Sequence, residues 1–181
     1  MNLVNGFKII VPFLMVDAVL FGKFNIHKTL FGFDFANNII NKLDKQSLLL
    51  ILEKNGARIG KNCDIETGLV IHNCMDYSNL QIGNNCHIGK NCFFDLRDKI
   101  VIGNDVTISM QCSLITHQDM GKSILDNLYV KTQNAIRIND SVYIGVKATV
   151  LQGVTIEKNS IVAAGGVVIK NVEENLIVGG V

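Results

Sequence analysis

The sequence predicts an all-β core, a coil of six-residue units, with a mainly helical segment ahead of it and one long external loop inside it. Three observations predict this. An aliphatic residue returns at every sixth position through the C-terminal third. Asparagine or aspartate recurs at a fixed place in the units, just before a small residue. The beat then stops at His117 and resumes only at about Ile138.

Residues 1–56 do not follow the sixes. Their most apolar stretch, "IIVPFLMVDAVLF" (9–21), is shorter than the roughly 20 residues that cross a bilayer, and it contains Pro12 and Asp17. It lacks the small-residue cleavage site of a secretory signal, which points to the cytoplasm. The following "DFANNIINKLDKQSLLLILEKNG" (34–56) groups Phe35, Ile39, Ile40, Leu43, Leu48, Ile51 and Leu52 at helical intervals and ends in the stop signal Asn55-Gly56. This segment is expected to cap the open end of the first coil and bury its sheet edges. The alternative for residues 7–24 is peripheral docking on a membrane surface.

The coil is expected over residues 57–173. Written in sixes from Ile138, the first position reads Ile138, Ile144, Val150, Ile156, Val162 and Val168, all β-branched. The same frame carries Ile59 and Ile65, Ile82 and Ile88, and Ile102, Ile108 and Leu114. Cys63, Cys86, Cys92 and Cys112 fall at the fifth position, a small buried slot where a thiol acts as a small hydrophobe. Asn62, Asn85, Asn91, Asp105 and Asn159 precede that slot, and such residues tolerate the left-handed backbone of a turn. One strand plus one turn per unit is not helical spacing, and the turns rule out a flat strand. The chain must coil.

The count slips in three places. Ile59 to Ile82 is twenty-three residues, which puts a five-residue insert near 73–79. Ile82 to Ile102 is twenty, which puts an extra pair within 95–101. From about residue 116 to 135 the sixth positions include Met120, Asp126 and Thr132, so this stretch leaves the coil as an external loop. Loops on a rigid scaffold are where function concentrates.

Bulk properties exclude other classes. A net charge of +1 with no basic cluster offers nothing to nucleic acid. Five cysteines, an odd number without any C-x2-C pair, argue against a disulfide framework and against a zinc knuckle.

The stretches "IGNNCHIGKNC" (82–92), "IVIGNDVTIS" (100–109), "ITHQDM" (115–120) and "VYIGVKATVLQGVTIEKNSIVAAGGVVIKNV" (142–172) resemble the hexapeptide-repeat acyltransferases of the sugar and polysaccharide O-acetyltransferase type. That resemblance implies a left-handed parallel β-helix, an exception to the usual right-handed crossover. It implies acetyl-CoA as co-substrate, no metal, and a homotrimer whose active sites lie between subunits. In such acetyltransferases the catalytic histidine follows the repeat where the loop departs, often as Thr-His, and His117 stands there. An imidazole suits the task, since it can take a hydroxyl proton and return it to a leaving thiolate near neutral pH.

A histidine base is usually oriented by a partner. One twenty-residue coil before His117 lies Arg97, flanked by Asp95 and Asp98, and the count alone allows either aspartate. Similarity to polysaccharide-type acetyltransferases favours Asp95. Asp119, in the loop, is a candidate for binding the acceptor. For acetyl-CoA the resemblance implies Tyr143 (where relatives commonly have Trp), Gly145 beside the thin cofactor arm, Ala163 and Ala164 on a shallow groove, and Lys170 at a phosphate. Relatives continue beyond "IVGGV", so residues 174–181 are expected to be an incomplete tail, leaving the CoA site less covered.

Rival readings are weaker. A zinc carbonic anhydrase on the same scaffold needs three histidines, and the spacings of His72, His87 and His117 do not suit its ligands. A non-catalytic assembly module would have no histidine at the loop departure. An amino-sugar N-acetyltransferase often carries a nucleotide-binding domain with a Gly-rich turn, which residues 1–56 lack. A hydroxyl of a sugar or saccharide precursor is therefore the expected acceptor.

Overall fold

The computed structural model describes residues 13–179. Its core is a three-sided parallel β-helix. The first face stacks Arg58–Ile59, Leu80–Ile82, Ile100–Ile102, Ile136–Ile138 and Thr155–Ile156. The second stacks Asp64–Ile65, His87–Ile88, Thr107–Ile108, Tyr143–Ile144, Ile161–Val162 and Ile177–Val178. The third stacks Val70–His72, Phe93–Asp95, Ser113–Leu114, Thr149–Val150 and Val167–Val168.

The aliphatic column read from the sequence is the register of these sheets. Ile59 pairs with Ile82, Ile82 with Ile102, Ile102 with Ile138, and Ile138 with Ile156. Ile65, Ile88, Ile108, Ile144 and Val162 line the second face from inside, and Ile71, Phe94, Leu114, Val150 and Val168 the third; all are buried. Even spacing within a strand sends alternate side chains inward, so one aliphatic per unit fills the prism.

The corners explain the polar part of each unit. Asn62, Asn85, Asn91, Asp105 and Asn159 have φ between 56° and 58°. Their side chains also bond along the stack, as Asn62 Nδ2 donates to Asn85 Oδ1 and Asn85 Nδ2 to Asp105 Oδ1. The cysteines do more than fill space. Cys63, Cys86, Cys92 and Cys112 each donate through Sγ to a carbonyl of the next coil, at 3.0–3.2 Å. Burial pushes the Cys86 thiol up to about 11, so it keeps the proton it donates.

All three slips fall at one corner, between the third and first faces. Ile71 to Ile82 takes eleven residues, Phe94 to Ile102 eight and Leu114 to Ile138 twenty-four, where Val150 to Ile156 takes six. The last insert is the external loop. It is closed by a short antiparallel ladder, His117–Gln118 against Thr132–Gln133. The chain does not leave the coil at residue 173. Ile177–Val178 pairs with Ile161–Val162, sixteen residues back, so the last coil is two residues short. A strict count of six therefore loses it.

Helices cover the opposite end. Helix α1 spans Phe13–Phe31, α2 Phe33–Asn37 and α3 Lys45–Lys54. The helical pattern expected over 34–56 is broken by extended Leu43, after which Asp44 caps α3 by accepting from Gln46 N and Ser47 N. Phe33 is buried, whereas Phe35 is exposed and lies on Phe31 and His27. On the first coil, Asn37 Nδ2 donates to the edge carbonyl of Ile71, Tyr77 OH donates to Asn37 Oδ1, and Lys45 pairs with Asp64 and Glu66. An open sheet edge is thereby covered. Residues 1–12 lie outside the described residues, and with them part of the 7–24 segment considered for membrane docking. No helix among the described residues is long and apolar enough to cross a membrane.

Candidate active site

The corner that carries the inserts gathers the titratable residues. Asp95 ends the second strand of the third face, and its carboxylate is 1% exposed. His117 opens the loop one coil above, and its Nδ1 stands 2.5 Å from Asp95 Oδ2. Thr116 is buried between them: its backbone N–H donates to Asp95 Oδ2 at 3.0 Å, and its hydroxyl lies 2.9 Å from the same oxygen and 2.8 Å from the Asp95 carbonyl. Asn73, from the first insert, donates through Nδ2 to Asp95 Oδ1 at 2.8 Å.

Burial alone would raise the Asp95 carboxyl. Hydrogen bonds from His117, Asn73 and Thr116 outweigh it and hold the group below the ordinary aspartate range. The carboxylate is thus ionised at neutral pH and accepts from every direction. Opposite such an acceptor, Nδ1 of His117 carries the hydrogen, which leaves the lone pair on Nε2.

Of the two aspartates the count allowed, the structure brings Asp95 to His117. Asp98 accepts from the Lys99 N–H, and its own N–H donates to Thr116 Oγ1. Asp119 is engaged within the loop: Gly121 N donates to it at 2.7 Å, and Arg97 and Lys131 lie at 3.5 and 3.4 Å. Asn73 and Thr116 were given no role from sequence, and Arg97 served only as a landmark. A step of twenty-two residues, from His117 to Asp95 and again to Asn73, was the available signal.

Of the residues assigned to acetyl-CoA, Tyr143, Gly145, Ala163 and Ala164 lie on adjacent coils, and Lys170 stands apart from them within one chain. Tyr143 lines a groove of about 370 Å³ on the second face with Glu66, His87, Lys90 and Met110. Lys170 lines another of about 310 Å³ at the last coil, walled by Val167, Ile169, Val172 and Val178. Ala163 is half-buried and Ala164 exposed. Gly145 has a reason of its own: a Cβ there would stand 2.5 Å from the backbone N of Ala164 in the next coil. Gly145→Ala is therefore expected to destabilise the fold by about 1–3 kcal/mol, whatever the cofactor does. A thermal melt of the variant without ligand checks this, and an unchanged midpoint would remove the stacking explanation.

His72 and His87 sit on the third and second faces, away from one another. Among the described residues no group of three or more His, Cys, Asp or Glu is placed to hold a metal.

A family model described as the hexapeptide repeat of succinyl-transferase matches residues 51–73, 80–110 and 135–170. The unmatched gaps fall on the first insert and the external loop. Galactoside O-acetyltransferase of Escherichia coli strain K12 is 27% identical over 160 residues, 82% of this chain and 71% of that protein. Protein CapG of Staphylococcus aureus is 39% identical over 106 residues, 56% of this chain and 61% of its own length. The chain spans between 50% and 71% of the length of five curated relatives that it matches. Among solved structures, a hexapeptide-repeat acetyltransferase from Vibrio cholerae superposes with a TM-score of 0.65 at 22% identity, covering 87% of this chain and 83% of that one. A second structure of that protein, complexed with acetyl coenzyme A, gives 0.62 at 20% identity, over 93% and 84%. At these identities the likeness is one of fold.

Proposed function

Since this chain belongs to the hexapeptide-repeat family of left-handed β-helix proteins, we propose that it is an acetyl-CoA-dependent O-acetyltransferase acting on a hydroxyl of a sugar or saccharide precursor. The observation that carries this reading is the 2.5 Å contact of His117 Nδ1 with buried Asp95.

In this reading acetyl-CoA supplies the activated acyl group. His117 Nε2 takes the proton of the acceptor hydroxyl as that oxygen attacks the thioester carbonyl. Asp95 holds the imidazole in the tautomer with Nε2 free and stabilises the imidazolium that forms. His117 then passes the proton to the departing thiolate sulfur, and the pair is ready again. Lys170 offers an ammonium to phosphate beside an apolar wall, a donor set that fits the phosphate-bearing end of CoA. Tyr143, Ala163 and Ala164 would line the arm. Tyr143 and Lys170 open on separate grooves in one chain; in this reading a neighbouring copy in a homotrimer brings the two parts of the site together.

The test is release of free thiol from acetyl-CoA against a panel of mono- and disaccharides, saccharide precursors and one amino sugar. Saturable, acceptor-dependent release with a neutral sugar is expected. Release with the amino sugar alone would replace a hydroxyl by an amine acceptor. Release no faster with any acceptor than with water would overturn the enzyme reading.

A further inference from the structure

Three successive inserts at one corner each contribute to a single polar column: Asn73 from the first, Asp95 and Arg97 from the second, His117 from the loop. The two oxygens of Asp95 are unequally served. Oδ2 takes His117 and Thr116, whereas Oδ1 has Asn73 as its one protein donor among the described residues. The Asn73 amide is itself oriented from both sides. A carboxylate only accepts, so the NH2 faces Asp95, and Arg97 donates to Asn73 Oδ1 at 3.4 Å. The residue also sits at φ 57°, which turns its side chain into the column and which glycine alone would adopt freely.

We propose that Asn73 is a positioning residue for the reaction, pinning the Asp95 carboxylate plane so that Oδ2 meets His117 Nδ1, with Arg97 fixing Asn73 in turn. This rests on the reading of His117 as base. A carboxylate torsion is soft, with a broad energy well. Bonds to one oxygen alone leave the plane free to turn about that oxygen; a donor on the other stops it. Arg97 also reaches Asp119, so the same contact ties the start of the loop to the column.

The test uses Asn73→Gly, which keeps the left-handed turn, and Asn73→Asp, which keeps the shape but removes the donor. The first readout needs no acceptor. The Nδ1 proton of His117, identified by its loss in His117→Ala, is expected at low field in the proton NMR spectrum of the intact protein. It should move upfield or broaden in both Asn73 variants, while the melting temperature of Asn73→Gly stays close to that of the parent. The second readout is a double-mutant cycle on thiol release. Asn73→Gly is expected to lower kcat by about tenfold to a hundredfold, by analogy with the loss of outer hydrogen-bond partners of metal-ligating histidines, with KM for acetyl-CoA unchanged. In an Asp95→Ala background it should cost nothing further. An unmoved resonance, or an equal cost in both backgrounds, overturns the proposal. Full turnover by His117→Ala would instead sink the reading of the base, and the resonance alone would then decide whether Asn73 positions Asp95.

Discussion

Asp95→Asn is expected to lower acetyl transfer by roughly 10⁴-fold, the loss the same exchange causes where an aspartate fixes a catalytic histidine's tautomer. The geometry explains why so small a change costs so much. Every contact to the Asp95 side chain comes from a donor: Asn73 Nδ2, Thr116 N and Oγ1, and His117 Nδ1. An amide placed there must turn its NH2 toward one of them. On the Oδ2 side it faces the Thr116 N–H and drives His117 to carry its hydrogen on Nε2, which removes the base. On the Oδ1 side it faces the Asn73 amide, which Arg97 holds in the opposing sense. The measurement is steady-state thiol release, and a variant within tenfold of the parent would remove Asp95 from the mechanism.

The same residue ties stability to acidity. Its folded pKa is depressed, because the three sets of hydrogen bonds exceed the effect of burial. Such a group contributes stability that is present above the unfolded value, about 3.9, and is lost as pH falls through the folded value. Asp95→Asn has no such contribution to lose, and it leaves the buried Thr116 region with a mismatched donor worth about 1–3 kcal/mol. The parent should therefore melt higher than the variant at neutral pH, and the gap should narrow below about pH 4. A gap independent of pH would mean that Asp95 is not an ionised acceptor in the folded state.

Much of the fold was legible because burial follows a period. One inward aliphatic and one left-handed corner per six residues leave a mark that neighbouring coils repeat, so the columns from Ile59 to Ile156 and the corners at Asn62 to Asn159 could be counted. What broke the count was chain length between columns. The two-residue shortening between Val168 and Val172 concealed the strand Ile177–Val178. In the helices, Asp44 caps α3 and splits a pattern whose apolar spacing runs on across the break. At the site, His117 was marked by the place where the beat fails. Its partner was marked less sharply, because the twenty-residue step that pairs Phe94 with Leu114 carries His117 onto Arg97, two residues past Asp95, and the count alone left Asp95 and Asp98 open. Asn73 was harder still, since its role depends on an amide orientation set by two groups from other coils. The acceptor leaves no such trace, as side chains that would meet it obey no period.

His117→Ala separates proton transfer by the imidazole from folding and cofactor binding. The His117 side chain is partly exposed, and its hydrogen bond is to Asp95, which keeps its Thr116 and Asn73 donors when the imidazole is gone. The variant should therefore fold, melt near the parent and bind CoA in calorimetry as the parent does. Thiol release from acetyl-CoA, with the acceptor that supports turnover in the parent, should fall by at least about 10²- to 10⁴-fold, the share that a positioned acid–base group supplies. Turnover by His117→Ala equal to that of the parent, with CoA bound equally well, would contradict the account.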